Sequence, residues 1–332
     1  MLGTWRYFLA VVVALSHIQW RLADLNPGVI AVVGFYLTSG YVMTGLLRNR
    51  YTQLADASSF YFDRALRLLP QYFTIAVLTL AWLLVSGAST TFLQGQPDLQ
   101  GLLNNFTIVP LNYFYYNGAD RFTLIPPAWS LGAEIQFYIF LPLIVRLRAV
   151  ASVISITVYV CAAAGLINSE LFGFRLLPGV LWFFLLGSWL YDSHHGSTSE
   201  RSGKRVLAVM ALVVAAGLGL WSMGKLNLPY NRETLLGVLI ALPALHLLAR
   251  RERRSWDESL GNLSYGLFLN HFLILWVVFD SSVLGFWQRL AFILLCTVCA
   301  GLTQRLVERP ALAWRQNLRA TTQRLSLSQV DR

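Results

Sequence analysis

Long apolar stretches follow one another along the whole chain, separated by connections that carry most of the charged residues. Each stretch is close to the roughly 17–25 residues that a helix needs to cross a bilayer, so the pattern predicts membrane-spanning helices. The stretches are continuously apolar, whereas the strands of an outer-membrane barrel alternate, so a barrel is excluded. We therefore predict an all-α polytopic membrane bundle of about ten transmembrane helices. The predicted spans are residues 5–22, 28–47, 69–86, 128–146, 150–167, 176–191, 205–223, 234–249, 261–280 and 285–307.

One long connection and the C-terminal end stand apart from the spans. Residues 87–127 are rich in glycine and proline, but their apolar middle, 106–116, is expected to lie at the interface or to re-enter the membrane. Loops of this length are often functional. Pro310 is expected to end the last helix. The predicted organisation is a transmembrane domain at 1–310 and a basic cytoplasmic tail at 311–332.

The composition supports insertion into a membrane. Hydrophobic residues make up 56% of the chain and charged residues 13%, which is about half the charged share of a soluble protein. No soluble segment is large enough to form a catalytic domain, so any chemistry is expected within the helix bundle.

The positive charge is unequally distributed between the two ends of the predicted spans. Of the 26 lysines and arginines, 19 fall on the side that holds both termini, 6 fall on the opposite side, and Arg6 lies in the first span. Because basic residues accumulate in cytoplasmic loops, we expect both termini in the cytoplasm, with the spans in a bacterial inner membrane. Topology and contact with membrane lipids then explain the basic excess without a nucleic acid partner.

The cysteines and several histidines do not form a metal-binding pattern. The three cysteines lie in apolar stretches without disulfide or zinc spacing, and we interpret them as small packing residues. Two adjacent histidines are expected to be exposed in a cytoplasmic linker, and a third is expected to be packed at the end of a span. No metal is therefore predicted. These residues are Cys161, Cys296 and Cys299, His194 and His195, and His246.

Arg6 and His17 lie eleven residues apart in the first apolar stretch. Eleven helical steps return to within about 20° of the starting face and rise about 16 Å, so both side chains are expected on one face, about half a bilayer core apart. Ionisable groups inside a membrane are costly and usually functional. His17 is a candidate general base, because imidazole titrates near neutral pH. The alternative is a hydrogen bond between helices.

Two further arginines and a glutamate are candidates for the site. Arg64 and Arg67 are neighbours on one helical face at the predicted cytoplasmic side, where their guanidinium groups suit phosphate oxygens. The simpler alternative is ordinary positive-inside charge. Glu134 is predicted one or two turns inside the fourth span, at a depth comparable to that of His17. Either the two side chains are partners, or Glu134 is a carboxylate that faces a water-filled cavity.

Polar residues also occur near the C-terminal end of the predicted bundle. Asn270 and His271 lie within the ninth span, and we expect them to form hydrogen bonds between helices. Glu308 and Arg309 precede Pro310, and we expect the two adjacent charges to pair and anchor the last span.

Six short motifs occur in a fixed order along the chain. They are Arg6 with His17 eleven residues later, 35–41, Arg64 and Arg67 before Pro70, 129–131 with Glu134, 264–271, and 308–310. In this order they resemble the motifs of the membrane acyltransferase-3 family, over most of the chain. Two positions depart from that pattern without removing a reactive group: Tyr36 replaces a usual phenylalanine, and Phe268 stands where tyrosine is frequent.

The resemblance implies a membrane O-acyltransferase that moves an acyl group, usually acetyl, from acyl-coenzyme A to a carbohydrate hydroxyl. The implied acceptor is a surface polysaccharide or its lipid-linked precursor, although relatives also serve small acceptors. His17 would be the catalytic histidine, with Glu134 as a further catalytic candidate. Arg64 and Arg67 would hold the coenzyme A phosphates, and Arg6 would support the donor path or orient His17. We expect a stand-alone member, without the fused extracytoplasmic domain of many relatives.

Two other classes of function fit parts of the sequence. A transporter or flippase of a lipid-linked sugar would also place polar residues inside a bundle. A non-catalytic scaffold for glycan assembly is the third class. The arginine pair and the intramembrane histidine favour the enzyme, and the sequence contains no repeat of the kind that transporters often have.

Overall fold

The computed structural model describes residues 1–94, 96–144, 146–195, 199–252, 254–279 and 283–315. Across these ranges the chain is helical, with isolated β-bridges but no strand. Seven of the described helices are long and apolar enough to cross a membrane, and three shorter apolar helices accompany them. Each predicted span corresponds to one of these helices, so the all-α polytopic bundle is confirmed. The protein is an integral membrane protein.

The helices are numbered in chain order, and α4 and α5 belong to the long connection. Their bounds are α1 (Leu2–Ser16), α2 (Pro27–Asn49), α3 (Ala57–Ser86), α4 (Leu99–Thr107), α5 (Phe114–Asn117), α6 (Ala128–Ile144), α7 (Arg148–Ala163), α8 (Leu177–His195), α9 (Ser199–Ser222), α10 (Asn231–Ala249), α11 (Ser255–Ile274) and α12 (Phe286–Thr303). Short π-helical turns occur at Leu171–Arg175, Leu275–Phe279 and Gln304–Glu308.

The first helix is shorter than predicted, because it ends at Ser16 and not near residue 22. The following backbone turns back sharply, and Asn26 then starts α2 by accepting a hydrogen bond from the Gly28 N–H at 3.0 Å. His17 is therefore the C-cap residue of α1, at the C-terminal end of the helix. Left-handed φ angles in this turn occur at Gln19, Ala23 and Asp24.

Helix α2 packs very closely against α8 through glycine. A Cβ atom on Gly40 would lie 1.8 Å from the Phe184 carbonyl oxygen, and one on Gly187 would lie 2.0 Å from the Leu37 carbonyl oxygen. Small residues at such contacts let two membrane helices approach backbone to backbone, which increases their van der Waals contact. This contact holds α2 in place, and α2 contributes many of the site residues.

The N-terminal end of α1 is tied to the start of α11. Asp257 accepts hydrogen bonds from the Thr4 N–H at 2.8 Å and from the Thr4 hydroxyl at 2.7 Å. A carboxylate at the N-terminus of a helix is also favoured by the helix dipole. The contact fixes the height of α1 relative to α11, and with it the relative positions of the groups they carry.

Helix α3 begins at Ala57, well before the predicted start at residue 69, so Arg64, Arg67 and Pro70 all lie within it. Hydropathy missed this part because its charged residues lower the average, although they face the protein interior. One proline removes a single backbone hydrogen bond, which a packed membrane helix tolerates. The arginines are therefore held rigidly.

The prediction that Pro310 ends the last helix was wrong. The helix continues beyond α12 through the π-turn Gln304–Glu308 and reaches Arg315. In that turn the Arg309 N–H bonds the Gln304 carbonyl, five residues back. We attribute the tolerance of proline to this wider turn, which changes the bonding pattern just before the ring. Of the predicted tail, residues 316–332 lie outside the described residues.

The long connection at 87–127 is folded against the start of α6. Its Asn112 side chain donates to the Trp129 carbonyl at 3.1 Å and to the Arg175 carbonyl at 3.0 Å. Asn105, also buried, donates to the Phe122 carbonyl at 2.9 Å. These buried amides thereby find hydrogen-bond partners among the backbone carbonyls of separate segments. The connection forms a fixed cover over this end of the bundle.

Candidate active site

Five helices surround a cavity inside the bundle, which we call the chamber. It holds about 940 Å³ of space unfilled by protein atoms, including the part that opens outward. The helices α1, α2, α3, α6 and α11 each contribute side chains. The charged lining residues are Arg6, Arg64, Arg67 and Glu134. Four of the five predicted site residues are thereby brought together from three helices, α1, α3 and α6.

Glu134 is held inside the chamber by hydroxyl groups. Ser39 donates to its Oε1 at 2.6 Å, and Tyr138 donates to the same oxygen. No hydrogen bond joins Glu134 to His17 in the described ranges, so the alternative of a carboxylate facing a cavity describes its position. The negative charge of Glu134 attracts the Arg6 guanidinium, whereas the positive charge of Arg67 repels it.

Arg64 and Arg67 differ in how they are bound, although the sequence treats them alike. Arg67 forms an ion pair with Glu308, whose side chain is 2% exposed. Arg64 has a buried Nε without a hydrogen-bond partner, and its Nη1 lies 4.0 Å from the Met43 sulfur. The predicted pair of Glu308 with the adjacent Arg309 was therefore wrong, because Glu308 pairs with Arg67. Arg64 keeps its charge available for a ligand.

A second, wider cavity lies at the end of the bundle that holds the N-terminus, and we call it the vestibule. It encloses about 2740 Å³, open solvent included, and three of its lining residues, Arg6, Val42 and Arg64, also line the chamber. The two cavities therefore meet. The other arginines that line the vestibule are Arg48, Arg50 and Arg251.

Carboxylates in the vestibule wall are largely occupied by other groups. Asp192 pairs with Arg48 at 3.2 Å and with Arg148 at 2.7 Å. Asp257 is bonded by the start of α1, as described above. The vestibule keeps an excess of positive charge, which suits an anionic ligand.

His17 lies outside both cavities, at the other end of α1 from Arg6. Its ring stacks on that of His271, with centroids 5.3 Å apart and an interplanar angle of 21°. Phe272 packs against it at 4.8 Å. Arg21 and Arg175 are the arginines whose charges act on it. One helical turn before His271, Phe268 lines the chamber, and its ring is 6.4 Å from that of His271.

His271 lies within its helix as predicted, but its hydrogen bonding differs from the prediction. Its Nδ1 bonds the Phe268 carbonyl of its own helix at 2.9 Å, so the predicted bond between helices is absent for this side chain. A carbonyl only accepts, so Nδ1 carries the proton and the buried Nε2, which has no partner, is an acceptor. Asn270 does form the predicted bond between helices, to the Cys296 carbonyl at 3.0 Å.

The remaining histidines form a small cluster beside the vestibule. His194 Nε2 lies 2.9 Å from His246 Nδ1, and its Nδ1 lies 3.1 Å from the Tyr41 hydroxyl. His194 was expected in an exposed linker, but α8 extends to His195 and carries it. Within the described ranges, no three histidine, cysteine, aspartate or glutamate side chains are grouped to hold a metal ion.

Comparison with known proteins identifies the family. The model of a family described as an acyltransferase domain matches residues 3–304. The chain belongs to this acyltransferase family. The match confirms the resemblance inferred from the motifs and covers all five candidate site residues, whereas the motif at 308–310 lies beyond it.

Several curated proteins are similar to this family member. Nodulation protein 10 of Rhizobium leguminosarum bv. viciae is 26% identical over 346 aligned positions, which cover 92% of this chain and 87% of that protein. An uncharacterized protein of Aquifex aeolicus is 39% identical over 46% of the chain and 72% of its own length. The O-acetyltransferase OatA of Staphylococcus aureus is 28% identical over 42% of the chain but only 23% of its own length. No solved structure matches.

Proposed function

We propose that this protein is a membrane O-acyltransferase that transfers an acyl group, acetyl in the first instance, from acyl-coenzyme A to a carbohydrate hydroxyl. Membership of the acyltransferase family and the similarity to an O-acetyltransferase support the reaction class. The acceptor that we propose is a cell-surface polysaccharide or its lipid-linked precursor.

The meeting of the vestibule and the chamber at Arg6 and Arg64 is the observation that carries the proposal. Coenzyme A combines a polyanionic nucleotide with a thin, uncharged arm. The wide basic vestibule suits the nucleotide, and the narrower chamber suits the arm. Guanidinium groups bind phosphate oxygens through paired N–H donors, so an unpaired arginine at the junction is well placed for the donor.

Arg64 is the arginine to which we assign direct contact with the donor phosphates. Its Nε is buried and has no partner in the described structure, which leaves a donor group for a ligand. Arg67 is already paired with Glu308, so it supports the chamber wall and the local field. Arg6 lines both cavities and Glu134 lines the chamber, so the arm of the donor would pass these two side chains.

His17 is the general base in this proposal, at the end of the route opposite the phosphates. The acceptor hydroxyl gives its proton to His17 while its oxygen forms a bond with the thioester carbonyl carbon. The carbon–sulfur bond then breaks, and coenzyme A leaves as the thiolate. The acyl end of the donor approaches His17 beside Phe268, whose ring lines the chamber and lies 6.4 Å from that of His271. His271 orients His17 by stacking.

The proposed orientation places both termini in the cytoplasm of a bacterial inner membrane. The vestibule opens at the end that holds the N-terminus and Arg48, Arg50 and Arg251. Basic residues favour the cytoplasmic side, and acyl-coenzyme A is available there. The carbohydrate would arrive at the opposite end, beside His17.

Coenzyme A release by the purified protein tests the proposed reaction. We expect the native protein in liposomes to release coenzyme A from acetyl-coenzyme A and to add one acetyl mass to an envelope glycan. His17→Gln should lower the rate at least about 100-fold, as expected for the loss of a general base. His246→Gln, a matched histidine change outside the site, should keep it.

Two results would count against the proposal. Unchanged transfer by folded His17→Gln would remove His17 as the base. A native protein that moves a lipid-linked sugar across the bilayer without releasing coenzyme A would instead support the transporter alternative.

A further inference from the structure

Tyr36 is a buried chamber residue whose hydroxyl has no hydrogen-bond partner in the described structure. The side chain lies on α2, is 2% exposed and lines the chamber. Burying a hydroxyl without a partner costs stability, because the group loses its bonds to water. A buried polar group without a hydrogen-bond partner needs an explanation in a native structure, and a role in binding a ligand is one such explanation.

The other hydroxyl groups that line the chamber are already bonded. Ser39 and Tyr138 interact with Glu134, and the rest donate to backbone carbonyls of the described helices and turns. The backbone donors are Thr38 to Gly34 at 2.7 Å, Ser130 to Pro127 at 3.0 Å, Ser264 to Gly261 at 2.7 Å and Tyr265 to Leu68 at 3.0 Å. Tyr36 alone among these lining hydroxyls retains a free O–H donor.

The Tyr36 ring is fixed by aromatic neighbours. It packs on Phe184 with centroids 4.6 Å apart and stacks on Phe183 at 6.3 Å. Both neighbours are fully buried on α8, the helix that meets α2 through glycine contacts. A ring held in this way presents its hydroxyl in a defined position, which is what a preorganised hydrogen-bond donor requires.

Tyr36 lies between the donor end of the chamber and His17. Along α2 it is one turn before Ser39, which bonds Glu134, and two turns before Met43, which lies beside Arg64. In the other direction, α2 begins beside Ser16, the residue before His17, because a Cβ atom on Gly28 would lie 2.2 Å from the Ser16 Oγ. A donor anchored at Arg64 would therefore carry its thioester past Tyr36 on the way to the base.

We infer that Tyr36 is a catalytic residue whose O–H donates a hydrogen bond to the thioester carbonyl oxygen during transfer. The inference rests on the proposed function. As the acceptor oxygen bonds to the carbonyl carbon, the C=O electron pair moves onto the carbonyl oxygen, and Tyr36 stabilises that charge. The pair returns as the carbon–sulfur bond breaks and the thiolate leaves. The hydroxyl proton of the acceptor goes to His17, and Tyr36 keeps its own proton.

The Tyr36→Phe variant tests this role, because it removes one oxygen atom and leaves the ring packing intact. We expect kcat for acetyl transfer to fall about 100- to 1000-fold, the usual effect of losing one oxyanion donor, with KM for acetyl-coenzyme A unchanged. The melting temperature should stay the same or rise, since an unpaired buried hydroxyl is removed. A structural residue would not combine a lower kcat with equal or greater stability.

Tyr72→Phe is the matched control. Tyr72 is fully buried, but its hydroxyl donates to the Asn105 carbonyl at 2.8 Å, so this variant should lose stability and keep its kcat per folded molecule. Unchanged kcat in Tyr36→Phe, or a change in KM alone, would overturn the inference. A native protein that releases no coenzyme A would contradict the proposed function itself, which is a separate result.

Discussion

Arg64 and Arg67 illustrate how much two neighbouring residues of one type can differ in their surroundings. Both are arginines three positions apart, and the sequence assigns them one role. In the structure, Arg67 is neutralised by buried Glu308, whereas Arg64 stands at the junction of two cavities without an ion pair in the described ranges. Donor binding is therefore assigned to Arg64.

Replacing Arg64 should weaken donor binding without unfolding the protein. We expect Arg64→Ala to raise KM for acetyl-coenzyme A roughly 10-fold or more, because charge-assisted bonds to phosphate contribute about 1.5–3 kcal/mol. The melting temperature should change little, since no partner is left unpaired. Steady-state kinetics and thermal unfolding in detergent measure the two effects. A normal KM in this variant would remove Arg64 from the donor site.

At the scale of helices, α3 and the helical extension of α12 are joined by the pair of Arg67 and Glu308. Glu308→Met leaves a largely buried guanidinium without its partner. We expect a loss of about 3 kcal/mol in stability, the lower end for a broken buried pair, because Arg67 is 20% exposed. The double variant Arg67→Met with Glu308→Met should recover much of this loss, because hydrophobic side chains often replace a buried pair well.

The four members of this mutant cycle can be compared by thermal unfolding in one detergent. Additive losses in the double variant would show that the two residues do not interact. If the double variant recovers stability but not acetyl transfer, the pair also maintains the electrostatic potential that the reaction needs in the chamber.

Hydropathy predicted the spans because a membrane requires long apolar helices, and that requirement overrides local detail. The helix ends were harder to predict. The predicted end of the first span at residue 22 was too late, because Ile18, Trp20 and Leu22 keep the average hydropathy of the turn high. Pro310 was expected to end the last helix because the sequence does not show the π-turn before it. Local conformation in these places depends on packing that a hydropathy average does not contain.

The candidate site was predicted in composition but not in arrangement. Arg6 and Glu134 were predicted because charges inside a membrane are costly, and Arg64 and Arg67 because two neighbouring guanidinium groups suit phosphate oxygens. The fold brings all four to one chamber. The pairing of His17 with His271 could not be predicted, because it depends on how α1 lies against α11. The free hydroxyl of Tyr36 was also hidden, since the sequence does not show which hydroxyl groups are already bonded.

For the whole molecule, the vestibule and His17 lie at opposite ends of the bundle. Under the proposed function, transfer is vectorial: a charged donor would stay on one side of the membrane, and its acyl group would be delivered toward the other. The chamber lies between them, with Arg6 and Arg64 in the part that it shares with the vestibule and Phe268 in the part near His271. This division follows from the placement of α1, whose two ends carry Arg6 and His17.

Sidedness in sealed membrane vesicles tests this claim most directly. Acetyl-coenzyme A does not cross membranes, so it can be supplied to one face only. In inverted vesicles, whose cytoplasmic face points outward, we expect external acetyl-coenzyme A to be consumed and the acyl group to appear on acceptor enclosed in the lumen. Arg64→Ala should reduce both signals. Equal consumption by intact right-side-out vesicles, or acylation only of acceptor on the donor side, would contradict the account.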